Sequence, residues 1–189
     1  QRPPGSCRQA PRRSDRAPVS ARFAIEPLGK GHQRKAFSCG NERIDRYFRE
    51  AITQDIKRRY ATCFVARDLE TDRIAGFYTL SSSNVPLTAV PEPLASRLPR
   101  YPTVPAVLIG WLGRDQSYAG FGLGEALLFD AIKTIAEAPI GAHAIFADAI
   151  DEKAAAFYAA FGFTVLIDRP NTLYLPVATA QRLFSGETL

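Results

Sequence analysis

The chain predicts a single α/β domain, with a mixed, mostly antiparallel central sheet flanked by helices. Strand-like and helix-like segments alternate in the order β-α-β-β-loop-β-α-β-α-β-β, a pattern that packs helices on one sheet. The length of 189 residues suits one domain. A composition of 46% hydrophobic and 23% charged residues is ordinary for a globular chain and excludes disordered and collagen-like classes.

Residues 1–20 are rich in Arg, Pro and Ser and read as a disordered basic tail, leaving 21–189 as the folded domain. Residues 22–26 read as the first strand. From Asn41 to Arg59 the apolar positions Ile44, Phe48, Ala51, Ile52 and Ile56 have helical spacing. Cys63–Arg67 and Arg73–Leu80 read as strands joined by a polar hairpin turn. Val85–Pro105 holds six of the fourteen prolines and reads as a long connection of a functional kind, with a short helix near Leu94–Leu98. Val107–Leu112 reads as a buried strand ended by Gly113 and Arg114. Gly124–Ala136 follows as a helix and His143–Ala149 as a strand. Glu152–Phe161 is a second helix, capped by Asp151 and stopped by Gly162. Phe163–Asp168 and Thr172–Val177 read as closing strands around an Arg-Pro-Asn turn.

Charge is uneven. Residues 1–35 hold nine Lys/Arg against two Asp/Glu, and the rest holds fifteen against seventeen. The basic balance therefore belongs to the N-terminal segment, and the body alone implies no nucleic-acid partner. Cys7, Cys39 and Cys63 are odd in number and form no CxxC, so neither a disulfide framework nor a metal site is expected. With no long apolar span and no start like a signal peptide, no membrane partner and a cytoplasmic location are expected.

Two stretches carry chemistry. The first is Tyr118-Ala119-Gly120-Phe121-Gly122-Leu123-Gly124, a strand–turn–helix junction. Glycines let backbone N–H groups approach an anion, and a helix N-terminus adds free donors and a favourable dipole. The spacing is GxGxG rather than the dinucleotide GxGxxG, and no Gly-Lys-Ser/Thr ending marks a P-loop. The second is Ala154-Ala155-Ala156-Phe157-Tyr158-Ala159-Ala160-Phe161-Gly162-Phe163. Phe157 and Phe161 share a helix face, while Tyr158 is offset by one position and can turn its hydroxyl to a groove.

Together these stretches resemble the GNAT superfamily of N-acetyltransferases. Gly122 and Gly124 match that family's Gln/Arg-x-x-Gly-x-Gly/Ala turn. Ala154, Phe157, Tyr158, Gly162 and Phe163 match its Ala-x-x-Phe-Tyr-x-x-x-Gly-Phe helix. Phe37-Ser38-Cys39-Gly40, Ile44-Asp45-Arg46-Tyr47-Phe48, Gly76-Phe77-Tyr78-Thr79-Leu80-Ser81 and Leu98-Pro99-Arg100-Tyr101-Pro102 are similar to the GNAT toxins of bacterial toxin–antitoxin pairs. The resemblance implies acetyl-CoA as cosubstrate and no metal. It implies Leu112, Gly113 and Arg114 beside the pantetheine. It implies Ala119, Gly120, Phe121, Gly122, Leu123 and Gly124 around the pyrophosphate, and Tyr158 as the acid for the leaving thiolate. It further implies aminoacyl-tRNA as the substrate, a ribbon-helix-helix antitoxin as partner, and a homodimer. Lys30, Lys35, Arg58, Arg97 and Arg100 are the candidate RNA contacts.

Three departures sit near the cofactor: Ala119 in place of Gln or Arg, Phe121 in place of a basic residue, and Trp111 in place of Arg. Arg114 is the neighbouring cation. The residues leave open a GNAT acting on a small amine or protein N-terminus, and an impaired relative that only binds a partner.

Overall fold

The computed structural model describes residues 22–167 and 169–185; the expected tail over 1–20 lies outside the described residues. The strands are β1 (Phe23–Pro27), β2 (Thr62–Asp68), β3 (Ile74–Pro86), β4 (Thr103–Arg114), β5 (Ala144–Asp148), β6 (Thr164–Leu166) and β7 (Arg169–Pro176). The helices are α1 (Glu42–Arg46), α2 (Ile52–Lys57), α3 (Glu92–Ala95), α4 (Leu123–Glu137), α5 (Glu152–Ala159) and α6 (Val177–Ser185), with a π-helical turn, Tyr47–Ala51, joining α1 to α2. One sheet of order β1-β2-β3-β4-β5-β7-β6 results. Every neighbouring pair is antiparallel except β4 with β5. That parallel pair needs a crossover, and α4 supplies it.

Alternation along the strands splits the core between two faces. Leu123, Leu127, Leu128, Ala131 and Ile132 of α4 pack with Ala66, Tyr78, Ile109 and Ile145. On the opposite face Phe37, Ile44, Phe48 and Ile52 pack with Val65, Ile74 and Phe77. Phe48 stacks on Phe77 with centroids 4.0 Å apart, and Phe37 meets both rings edge-on. Gly76 lets α4 approach the sheet, because a Cβ there would lie 2.6 Å from Leu127 Cδ1 and 3.0 Å from the Gly113 carbonyl.

Some elements differ from expectation. β3 and β4 run on into the two ends of the proline-rich segment, pairing Val85 with Val104 and Pro86 with Thr103. The connection shrinks accordingly, and Val90, Leu94 and Leu98 join Val85, Val104 and Phe146 in a small core of their own. Gly113 and Arg114 do not end β4 early; they pair with Phe77 and Gly76. Arg169, Pro170 and Asn171 are not a turn, since they lie inside β7. Its early residues are exposed, so their polarity does not oppose a strand. The helix α6 went unpredicted; it packs Ala180 into the main core.

Asp68 ties three segments together. Its buried carboxylate accepts from Arg22 Nε and Nη2 at 3.2 and 3.0 Å, from Thr71 Oγ1 at 2.8 Å, and from Tyr118 Oη at 3.0 Å. The Arg22 hydrogen bonds, aided by Thr71, the Glu70 amide and Tyr118, hold its pKa well below the usual carboxylate range despite burial. A lowered pKa stabilises the fold at neutral pH, and that share fades as pH falls below about 4. Asp68→Asn should therefore lower the melting temperature at neutral pH. The gap to wild type should narrow in melts taken down to about pH 3.

Candidate functional site

The site begins where two strands part. β4 pairs with β5 only from Ala106–Ala144 to Ile109–Ala147, yet β4 continues to Arg114 on its other side, against β3. Beyond Ile109, among the described residues, no strand covers the β5-side edge of β4. A bulge marks the same place: the β3–β4 register shifts between Tyr78 and Leu80, and Trp111 N–H donates to Thr79 Oγ1 at 2.9 Å. Asp115 N–H donates to the Ala75 carbonyl at 2.9 Å. Main-chain groups alternate along a strand. With Trp111 and Asp115 directed at β3, those of Leu112 and Arg114 face the open edge.

The glycine turn lies at the end of this edge. Asp115, 4% exposed, accepts from the amides of Ser38 at 3.0 Å and Ser117 at 2.9 Å, and from Ser117 Oγ. The buried partner is the carboxylate, so removing these donors would leave its charge poorly satisfied. Gly120 and Gly122 take φ of 77° and 72°, a left-handed region that an L side chain resists. The turn delivers the first N–H groups of α4 to the mouth of the fork; Leu123 starts the helix, fully buried. Gly124 brings α4 close to α5, since a Cβ there would lie 4.0 Å from the Phe157 ring.

The departures have visible surroundings. Phe121 lies 6.0 Å from Phe23 and 6.3 Å from Tyr118 by ring centroids, and the Arg22 guanidinium sits 4.8 Å from its centroid. A cation thus stands near the turn, supplied by another segment and shared with Asp68. Arg114 donates from Nη1 to the Asp115 carbonyl at 2.9 Å, at the start of the turn. Ala119 is exposed.

Tyr158 lies across the fork. Asp151 caps α5, accepting from Ala154 N at 2.7 Å, and this orients the helix that carries the tyrosine. Tyr158 is 6% exposed. It lines a cavity of about 100 Å³ with Gly110, Trp111 and Leu112 of β4 and Asp148 of β5. Burial pushes its phenol up to about 12, and the charge of Asp148 adds to this. Asp148 Oδ1 accepts from Thr172 Oγ1 at 2.7 Å. The cavity therefore joins a protonated phenol, a carboxylate and an uncovered strand edge. Such a set can seat an amine beside an acyl group and supply a proton to a leaving group.

Larger cavities of about 640 and 600 Å³ run along α4, lined by residues such as Phe23, Phe129 and Phe161 in one and Phe64, Ile135 and Ile140 in the other. Neither touches Tyr158 or the fork, so the smaller cavity is the better candidate despite its volume. Lys30, Lys35, Arg58, Arg97 and Arg100 are all exposed. None lines the Tyr158 cavity or the one beside it. Sequence reasoning missed Arg43, Arg46 and Tyr47, which line that neighbouring cavity with Trp111. Their helical spacing was legible, but not their approach to β4.

Residues 31–163 match the family described as Acetyltransferase (GNAT) family. A probable toxin TacT of Sinorhizobium fredii (strain NBRC 101917 / NGR234) is 31% identical over 174 residues, covering 87% of this chain and 96% of the relative. A tRNA-acetylating toxin of Mycobacterium tuberculosis (strain ATCC 25618 / H37Rv) is 34% identical over 151 residues, covering 78% and 88%. Among solved structures, a KacT mutant superposes with a TM-score of 0.81 at 27% identity, covering 86% of this chain and 99% of that one. AtaT complexed with acetyl-methionyl-tRNAfMet gives 0.79 at 26%, with the same coverage. AtaTR bound with AcCoA gives 0.76 at 26%, covering 87% and 99%.

Gly122→Ala should cost about 1–2 kcal/mol, lowering the melting temperature by roughly 2–4 °C per kcal/mol for a chain of this size. Calorimetric melts of the two proteins check it.

Proposed function

Because the chain belongs to the Acetyltransferase (GNAT) family, we propose that it transfers the acetyl group of acetyl-CoA to the α-amino group of aminoacyl-tRNA, acting as a toxin that blocks translation. The small cavity shared by Tyr158, Asp148 and the uncovered edge of β4 carries this reading. The names of the relatives support the substrate and the toxin role. The solved AtaT-AtaR complex supports a partner, which we take to be a ribbon-helix-helix antitoxin.

The residues fit acetyl-CoA. Main-chain groups of Leu112 and Arg114 would hold the pantetheine arm. The turn from Ala119 to Gly124 would hold the pyrophosphate, using the free N–H groups and dipole of α4. This backbone donor set needs no basic side chain at position 121. When bound, acetyl-CoA supplies the acetyl group as a thioester.

The attacking amine must be neutral, and an α-amino group titrates at about 8, so neutral pH supplies a usable fraction. Asp148 offers the entering ammonium a carboxylate. Tyr158, with its phenol pushed up to about 12, keeps its proton across the neutral range. A free thiol titrates at about 8.5, so the phenol is the weaker acid. Its contribution is then a hydrogen bond to the developing sulfur charge, the proton following as the amine sheds its own.

Purified protein with labelled acetyl-CoA should label charged total tRNA and leave uncharged tRNA unlabelled. Label on neither, with acetyl-CoA still bound in calorimetry, would contradict the substrate; absent binding would contradict the enzyme. Tyr158→Phe should reduce turnover by about 10²–10⁴-fold with acetyl-CoA affinity unchanged, and a loss under about tenfold would contradict the role of the phenol. Because the phenol titrates near 12, wild-type turnover should rise through the amine pKa near 8 with no falling limb below about pH 10. If Lys30, Lys35, Arg58, Arg97 and Arg100 meet phosphates, transfer should also fall steeply with added salt.

A further inference from the structure

We propose that Trp111 and Tyr47 form a stacking platform for the 3′-terminal nucleotide of the RNA substrate, with Arg43 and Arg46 bonding its phosphates. This inference rests on the aminoacyl-tRNA reading above. Trp111 stands at a junction. It lines the cavity of Tyr158 and also an adjoining cavity of about 300 Å³, bounded by Arg43, Arg46, Tyr47, Glu50 and Ala51. An aminoacyl ester puts the α-amine only a few bonds from the terminal ribose. An amine seated beside Tyr158 therefore leaves its base next door, across Trp111.

The chemistry of that neighbouring cavity suits a nucleotide. The Tyr47 and Trp111 rings are stacked, with centroids 4.4 Å apart and planes 18° from parallel. Tyr47 is held in place by its hydroxyl, which donates to Asp55 Oδ2 at 2.9 Å. Bases of single-stranded RNA are bound by such rings and by guanidinium planes. The Arg43 guanidinium lies 5.3 Å from the Trp111 ring centroid. Arg43 and Arg46 are both exposed, so Arg43 can leave the ring for a phosphate when a base arrives. Two guanidiniums face one carboxylate, Glu50, in this cavity, so its walls carry a net positive charge. A purely structural pair would sit under cover, whereas Trp111 and Tyr47 are both only partly buried.

Trp111 is the only tryptophan of the chain, so its fluorescence reports on the platform directly. A short RNA oligonucleotide ending in CCA should quench it to saturation. The same oligonucleotide with an abasic 3′ end should bind about 5–150-fold more weakly, the range for losing one stacked base. Trp111→Ala should raise KM for charged tRNA by a similar factor, with acetyl-CoA affinity unchanged, and Trp111→Phe should restore most of it. Equal quenching by both oligonucleotides, or an unchanged KM in a folded Trp111→Ala, overturns the inference. Saturable quenching that depends on the terminal base, from a protein that labels no charged tRNA, would support the platform and contradict the proposed substrate instead.

Discussion

The architecture depends on one constraint: β4 and β5 run side by side for four residue pairs and then separate. Parallel strands satisfy their main-chain groups only through a neighbour, so the separation leaves Leu112 and Arg114 with polar groups facing a gap. The bulge opposite Thr79 helps to turn β4 at that point, and the Thr79 hydroxyl takes up the Trp111 N–H that the bulge displaces. The crossover helix α4 begins at one end of the gap, and α5 brings Tyr158 to its side. An amide-bearing arm would find main-chain partners along this edge, and an anionic end the free donors at the start of α4.

Two buried carboxylates connect the gap to α1. Asp115 accepts the Ser38 amide at 3.0 Å, and Asp45 accepts the Cys39 amide at 2.7 Å and the Ser38 hydroxyl at 3.0 Å. The Gln116 amide donates back to the Ser38 carbonyl at 2.9 Å. Gly40, with φ of 87°, leaves room for the Gln116 side chain. The segment ahead of α1 is thereby stapled to the segment ahead of the glycine turn. The Tyr47–Trp111 pair and the turn are consequently set by one frame.

Legibility in the sequence followed the range of the interactions. The helix carrying Tyr158 was readable because its cap Asp151, its aromatic spacing and its stop Gly162 are all local. The glycine turn was readable for the same reason. The separation of β4 from β5 was not, because it depends on strands separated by a whole crossover. The extent of β3 and β4 was hidden by Pro86 and Pro105, which read as loop residues. Trp111 stood out only as a departure from the resembled toxins. Its meeting with Arg43 and Tyr47 joins a helical segment to a strand about sixty-five residues further on, and no periodicity records that. Phe121 likewise read as a lost cation, whereas Arg22 stands over its ring.

On the proposed reading, the uncovered edge of β4 would hold acetyl-CoA through its backbone. Amide hydrogen exchange, followed residue by residue with and without acetyl-CoA, tests it most directly. Exchange should slow at Leu112, Arg114 and the first turn of α4. Slowing confined to the groove between β1 and α4, around Phe23 and Phe129, with none along β4, would contradict it.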